Sequence, residues 1–167
     1  MFIELFYAVL FLCSLVFEHG FLYAAGIPFS FLPFHLILGT LILHRGSETV
    51  GALWFLLTAL IAPMIGFTQF SAWGYIAIAI AGPLLTKQLF TNRSVYALLG
   101  LGLTLFMLLN AVTAIAGLTG FPQIEPHNVF APWSFFFLMI GLYCGFVLSA
   151  YLERLLSRTF LVRSPHV

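Results

Sequence analysis

Residues 72–93 read AWGYIAIAIAGPLLTKQLFTNR: an apolar run with a tryptophan near its start, no charge until Lys87, and Arg93 closing the turn that follows. A helix needs roughly 20 apolar residues to cross bilayer hydrocarbon, with amphipathic rings settling at the interfaces and basic residues favouring the cytoplasmic side. We therefore read Ala72 to Phe90 as a transmembrane span. Gly82-Pro83 is expected to kink it, because proline removes a backbone donor and crowds the preceding turn. Lys87 is close enough to the end for its stem to carry the ammonium to the headgroups.

The same pattern recurs on both sides of this stretch. Further spans are expected at about 2–17, 27–43, 50–65, 95–118 and 133–152, giving one all-α domain, 1–167, built as a bundle of six transmembrane helices. The six basic residues, Arg45, Lys87, Arg93, Arg154, Arg158 and Arg163, then fall in alternate connections and the C-terminal tail. By the positive-inside bias both termini are cytoplasmic. With 62% hydrophobic and 7% charged residues and a mean hydropathy of +1.12, the chain has too little polar surface for a water-soluble globule. A net charge of +1, spread along one face, excludes nucleic acid as a partner.

The connections carry most of the polar groups. Glu4 sits at the inner end of the first span, and Glu18 with His19 marks its exit to the outer side, where Glu18 reaches water. The first span lacks a basic leader and is read as uncleaved. Pro28 and Pro33 interrupt the outer half of the second span, so regular helix is expected to begin at Pro33. Arg45-Gly46-Ser47-Glu48 forms a tight inner turn, Asn92 is a candidate N-cap for the fifth span, and Thr119 to Pro132 forms a long irregular outer connection. Cys13 and Cys144, lacking any CxxC pairing, read as small core residues.

Three sets of side chains are candidates for a role. Gly141, Gly145 and Ser149 put small residues on one face of the last span, with a weaker face at Ala77 and Ala81, so that another helix can approach closely, inside the bundle or from a partner protein. His35 and Asn110 are polar at hydrocarbon depth and should find interhelical hydrogen bonds. With Trp73 and Trp133 they are the candidate lining of a small-molecule pocket. Glu18, His19, Glu125 and His127 share the outer face, but their spacing matches no standard zinc motif, so no metal or other cofactor is expected. The five acidic residues are all glutamate, and neither a Ser-His-Asp set nor a phosphate loop is present. Enzymatic activity is not expected.

The run from Pro33 through Phe90, with Arg45-Gly46, Gly51-Ala52-Leu53, Gly66 to Ser71, Gly74, Lys87 and Arg93, resembles the MreD family of rod-shape-determining membrane proteins. That resemblance implies a non-enzymatic scaffold or accessory subunit of the cell-wall elongation machinery, in the bacterial cytoplasmic (inner) membrane beside other membrane proteins. The alternative is a small-molecule carrier similar to the substrate-binding subunit of a vitamin transporter, with its ligand in the outer half.

Overall fold

The computed structural model describes residues 2–22, 24, 32–61, 64, 71–118 and 132–161, and these are organised entirely by helices. Helix α1 (Phe2–Val16) passes directly into a π-helical turn, Phe17–Leu22. There follow α2 (Phe34–Arg45), α3 (Glu48–Ile61), α4 (Ala72–Gln88), α5 (Val95–Leu118) and α6 (Pro132–Leu161). Among the described residues, two stretches are long and apolar enough to cross a membrane, α5 and Trp133–Leu155 of α6.

Helix starts follow local chemistry. Helix α2 begins directly after Pro33, where a missing backbone donor costs nothing. Ser71 caps α4 by accepting from the Gly74 N–H at 3.1 Å. At α5 the cap is Ser94, which accepts from Ala97 N at 3.2 Å, and not Asn92, whose carbonyl instead faces His44 Nε2 at 3.2 Å. Pro83 lies inside α4, whose helix runs on to Gln88; Thr86 Oγ1 donates to the Gly82 carbonyl at 2.9 Å. Helix α6 continues past the expected end at Leu152, so Glu153 and Arg154 are helical. Cys13 and Cys144 are exposed, contrary to their reading as core residues.

Helix α2 occupies the centre of the bundle and touches every other helix. At 1.5 Å per residue its 12 residues span only about 18 Å. Most of it is buried, from His35, Leu36 and Ile37 at one end to Leu43 and His44 at the other, and the remaining stripe, Phe34, Leu38, Leu41 and Arg45, is half-buried. Gly39 makes this possible on the α3 side: a Cβ there would run into the Phe55 ring and lie 3.0 Å from Trp54 Cδ1.

Charges collect at one end of the bundle. Arg45 Nη1 is 3.1 Å from Glu153 Oε1, joining α2 to α6, and Lys87 Nζ is 3.1 Å from Glu48 Oε2, joining α4 to α3. The Arg45 guanidinium also lies 4.2 Å over the Phe146 ring. The opposite end presents Trp73 and Trp133, 57% and 51% exposed, near the starts of α4 and α6.

Candidate functional site

Four helices and the π-helical turn meet around His35, the second residue of α2. The first backbone N–H groups of a helix have no partner within it, and a proline side chain cannot cap them. Here Glu18, on the π-helical turn, supplies the missing acceptor: His35 N donates to Glu18 Oε2 at 2.8 Å. A carboxylate at this position also meets the positive end of the α2 dipole. The Glu18 side chain is only 14% exposed. This corrects its reading as a group released to water, and the reason is specific: the chain does not leave the bundle at residue 18 but winds on through Leu22. Single π turns are rare and concentrate at functional sites.

The imidazole of His35 is 1% exposed. Phe11 and Trp54 flank it at ring-centroid separations of 5.5 and 5.9 Å and meet each other edge-on at 5.0 Å. Trp54 Nε1 donates to the His35 carbonyl at 3.2 Å, so the indole finds the partner that a buried N–H requires. Tyr75, buried on α4, is within electrostatic reach of the Glu18 carboxyl. On the α1 side, Ser14 Oγ lies 3.3 Å from His35 Nδ1.

Ser14, His35 and Glu18 thus form a chain of contacts outwardly like that of a serine hydrolase, but its proton directions are wrong for one. Ser14 Oγ donates its single proton to the Phe11 carbonyl at 2.7 Å. It must therefore accept from Nδ1–H, whereas an activated serine has to donate to the imidazole. With the proton on Nδ1, the other ring nitrogen faces Glu18 Oε2 at 3.9 Å, an electrostatic contact too long for a hydrogen bond. The pair can hold one proton between them, as acid beside imidazole or as carboxylate beside imidazolium. Both forms carry the same net charge, which suits a medium of low dielectric constant.

The other candidate residues lie elsewhere. Asn110, 1% exposed on α5, donates from Nδ2 to the Phe106 carbonyl of its own helix at 2.7 Å rather than across helices. Its Oδ1 has no hydrogen-bond partner among the described residues. One turn further on, Thr113 Oγ1 accepts from Ser71 N at 3.1 Å, joining α5 to the start of α4. His35 and Asn110 are packed, whereas Trp73 and Trp133 are exposed, so the four do not share the environment that a common pocket would give them. Gly141 and Gly145 face α2: a Cβ at the first would sit 2.5 Å from Ile37 Cδ1, and one at the second would strike Leu41. Their face is occupied by the chain's own central helix. Ser149 Oγ donates to the Phe146 carbonyl at 2.9 Å, and Ala77 and Ala81 are half-buried on α4.

Glu125 and His127 lie outside the described residues, as do the side chains of Glu4 and His19. No group of three or more metal-ligating side chains occurs among the described residues. Sequence reasoning missed Ser14, Trp54 and Tyr75. Only the proline at the start of α2 signalled that a cap had to come from elsewhere. No family model matches the chain, and neither a curated protein nor a solved structure matches it.

Proposed function

We propose that the chain is an integral membrane protein of the bacterial cytoplasmic membrane in which all six helices cross the bilayer. The Phe2 end of α1 and the Leu161 end of α6 face the cytoplasm, and the chain acts as a non-enzymatic scaffold or accessory subunit beside other membrane proteins. The observation that carries the membrane part is the axial sorting of side chains. Arg45, Glu48, Lys87 and Glu153 pair at one end, Trp73 and Trp133 sit at the other, and the exposed side chains between them are mostly Leu, Ile, Val and Phe. On α6, Trp133 and Tyr151, both exposed, are separated by about 27 Å of helix, close to the thickness of bilayer hydrocarbon.

Support for a scaffold comes from how the polar groups are used. His35, Thr40, Thr58 and Thr113 are at most 1% exposed and engaged in hydrogen bonds within the bundle. The Ser14 proton is committed, so the His35 cluster fastens helices and does not activate a nucleophile. The cell-wall context rests solely on the resemblance of the run from Pro33 through Phe90 to rod-shape-determining membrane proteins. The carrier alternative draws no such support, because His35 and Asn110 are enclosed by packing.

Two experiments test this. Membrane-impermeant thiol labelling of single-cysteine variants in a Cys13→Ala/Cys144→Ala background should modify Arg93→Cys and Arg158→Cys only from the cytoplasmic side and Trp73→Cys only from outside. Labelling of Arg93→Cys and Arg158→Cys from opposite compartments would refute the topology. Depletion in the host should widen or round rod-shaped cells, and unchanged shape would refute the cell-wall role.

A further inference from the structure

Between the charged ends of α2, α3 and α4 and the turn into α5 lies a cavity of about 300 Å³. Leu43, His44, Glu48, Thr86, Lys87 and Arg93 form much of its wall. Its character differs from that of the groove of about 360 Å³ between α1 and α3, whose wall is almost wholly apolar. Here two cations face one carboxylate, and Lys87 uses only part of its donor capacity on Glu48, at 3.1 Å.

The wall also contains an unsatisfied buried group. His44 is 3% exposed; its Nε2 lies 3.2 Å from the Asn92 carbonyl and must donate there, while Nδ1 has no hydrogen-bond partner among the described residues. An anion seated beside it would stabilise the imidazolium form, in which both ring nitrogens are donors. The apolar side chains of Leu43 and Phe90 share the wall with these polar groups, while the cations reach outward, Lys87 being 67% exposed. A pocket with cations at its rim and apolar side chains in its wall fits a molecule that is part hydrocarbon and part phosphate better than it fits a free inorganic anion. Basic pockets between helices on the cytoplasmic side of a membrane bind anionic lipid headgroups in this way.

We propose that this pocket binds the phosphate-bearing headgroup of an anionic phospholipid of the inner leaflet, with Lys87 and Arg93 as its cationic contacts and Glu48 setting an upper limit on affinity. The proposal rests on the membrane reading above. Glu48 gives it a signature that simple ion pairing lacks. If Lys87 and Glu48 served only each other, loss of either would be neutral or harmful to stability and irrelevant to lipid. If the pocket takes an anion, removing the Glu48 charge tightens binding while removing Lys87 or Arg93 weakens it.

The test is native mass spectrometry of the full chain released from detergent micelles, titrated with phosphatidylglycerol, with phosphatidylcholine, or with inorganic phosphate. Phosphatidylglycerol should bind more tightly than phosphatidylcholine. Lys87→Gln and Arg93→Gln should each weaken the phosphatidylglycerol complex about fivefold, the value of one basic residue at an anionic surface, and Glu48→Gln should strengthen it by a similar factor. Equal binding of both lipids, lipid binding indifferent to all three substitutions, or saturation by inorganic phosphate alone would each overturn the proposal. Flotation of the same protein with phosphatidylcholine vesicles reads the membrane assignment separately. Protein that floats but shows no lipid preference defeats the pocket alone, and protein that does not float defeats both.

Discussion

Helix α2 carries two histidines, a threonine and an arginine and has eight of its 12 residues buried, whereas α6 is uncharged from Trp133 to Leu152 and only 11% of the residues in its apolar stretch are buried. In a water-soluble domain the assignments would be reversed, because burial of apolar area drives the fold. When the surroundings are hydrocarbon, leucine gains little by turning inward, and the groups that must be inside are those needing hydrogen-bond partners. Helix α5 lies between these extremes, 44% buried over its apolar stretch. The centre of this molecule accordingly holds His35, Thr40, His44, Thr58, Asn110 and Thr113 among its buried Leu, Ile and Phe side chains.

The sharpest test of that contrast substitutes the same residue in both helices. Leu36 on α2 is fully buried, and Leu36→Ala should lower unfolding stability in mild detergent by about 3 kcal/mol, mostly through the cavity it leaves. Leu148 on α6 is exposed, and Leu148→Ala should change stability by less than about 0.5 kcal/mol. Detergent unfolding followed by tryptophan fluorescence measures both. Similar losses at the two sites would mean that α6 is covered by protein in the folded assembly.

The next effect separates the two partners in the candidate site. His35→Ala removes the ring between Phe11 and Trp54 and leaves Glu18 and Ser14 without their imidazole contacts, a loss of about 2 kcal/mol. Glu18→Gln keeps an acceptor for the His35 N–H and removes only the ability to share a proton with the imidazole, so it should cost about 1 kcal/mol or less. If Glu18→Gln were the more damaging in the same unfolding assay, the carboxylate charge at the helix start, and not the histidine ring, would hold the site together.

Some of this was legible in the sequence and some was not, for identifiable reasons. The start of α2 after Pro33 and the limits of α5 follow from proline chemistry and hydropathy, and both are observed as expected. The expectation of an interhelical hydrogen bond is met at His35, whose Nδ1 meets Ser14 of α1, but not at Asn110, whose amide turns back to the Phe106 carbonyl of its own helix. The Glu18 contact was not legible. A glutamate at the end of an apolar run normally signals water, and nothing local announces a π-helical turn that carries it back to another helix. The Ser94 cap was displaced by Asn92 in the reading because both are good caps two residues apart, and only the long-range contact of Asn92 with His44 decides between them. The centrality of α2 was equally hidden, since sequence spacing identifies adjacent helices but not which one the others surround.

Contact between the two compared helices gives the third prediction. Gly145→Leu would drive a branched side chain into Leu41 and push α6 off α2, costing about 1–2 kcal/mol by overpacking. Gly145→Ala should cost less, because only the flexible end of Leu41 has to yield. A protein whose stability survives Gly145→Leu but which loses a bound membrane partner would show that this face serves an external helix instead.

The smallest effect is expected where the two helices meet in charge. Arg45 is 17% exposed and Glu153 is 69% exposed, so water screens their 3.1 Å contact and Glu153→Gln should cost under about 0.5 kcal/mol. Arg45→Gln should cost more, about 1 kcal/mol, because it also removes the guanidinium from the Phe146 ring and its stem from the α2–α6 boundary. Arg45→Lys separates these contributions: it retains the charge for Glu153 but loses the flat stacking surface. Stability close to that of Arg45→Gln would assign the contact to the ring, and stability close to that of the unaltered chain would assign it to the ion pair. Either result measures how far the central helix holds the more exposed one by something other than packed methyl groups.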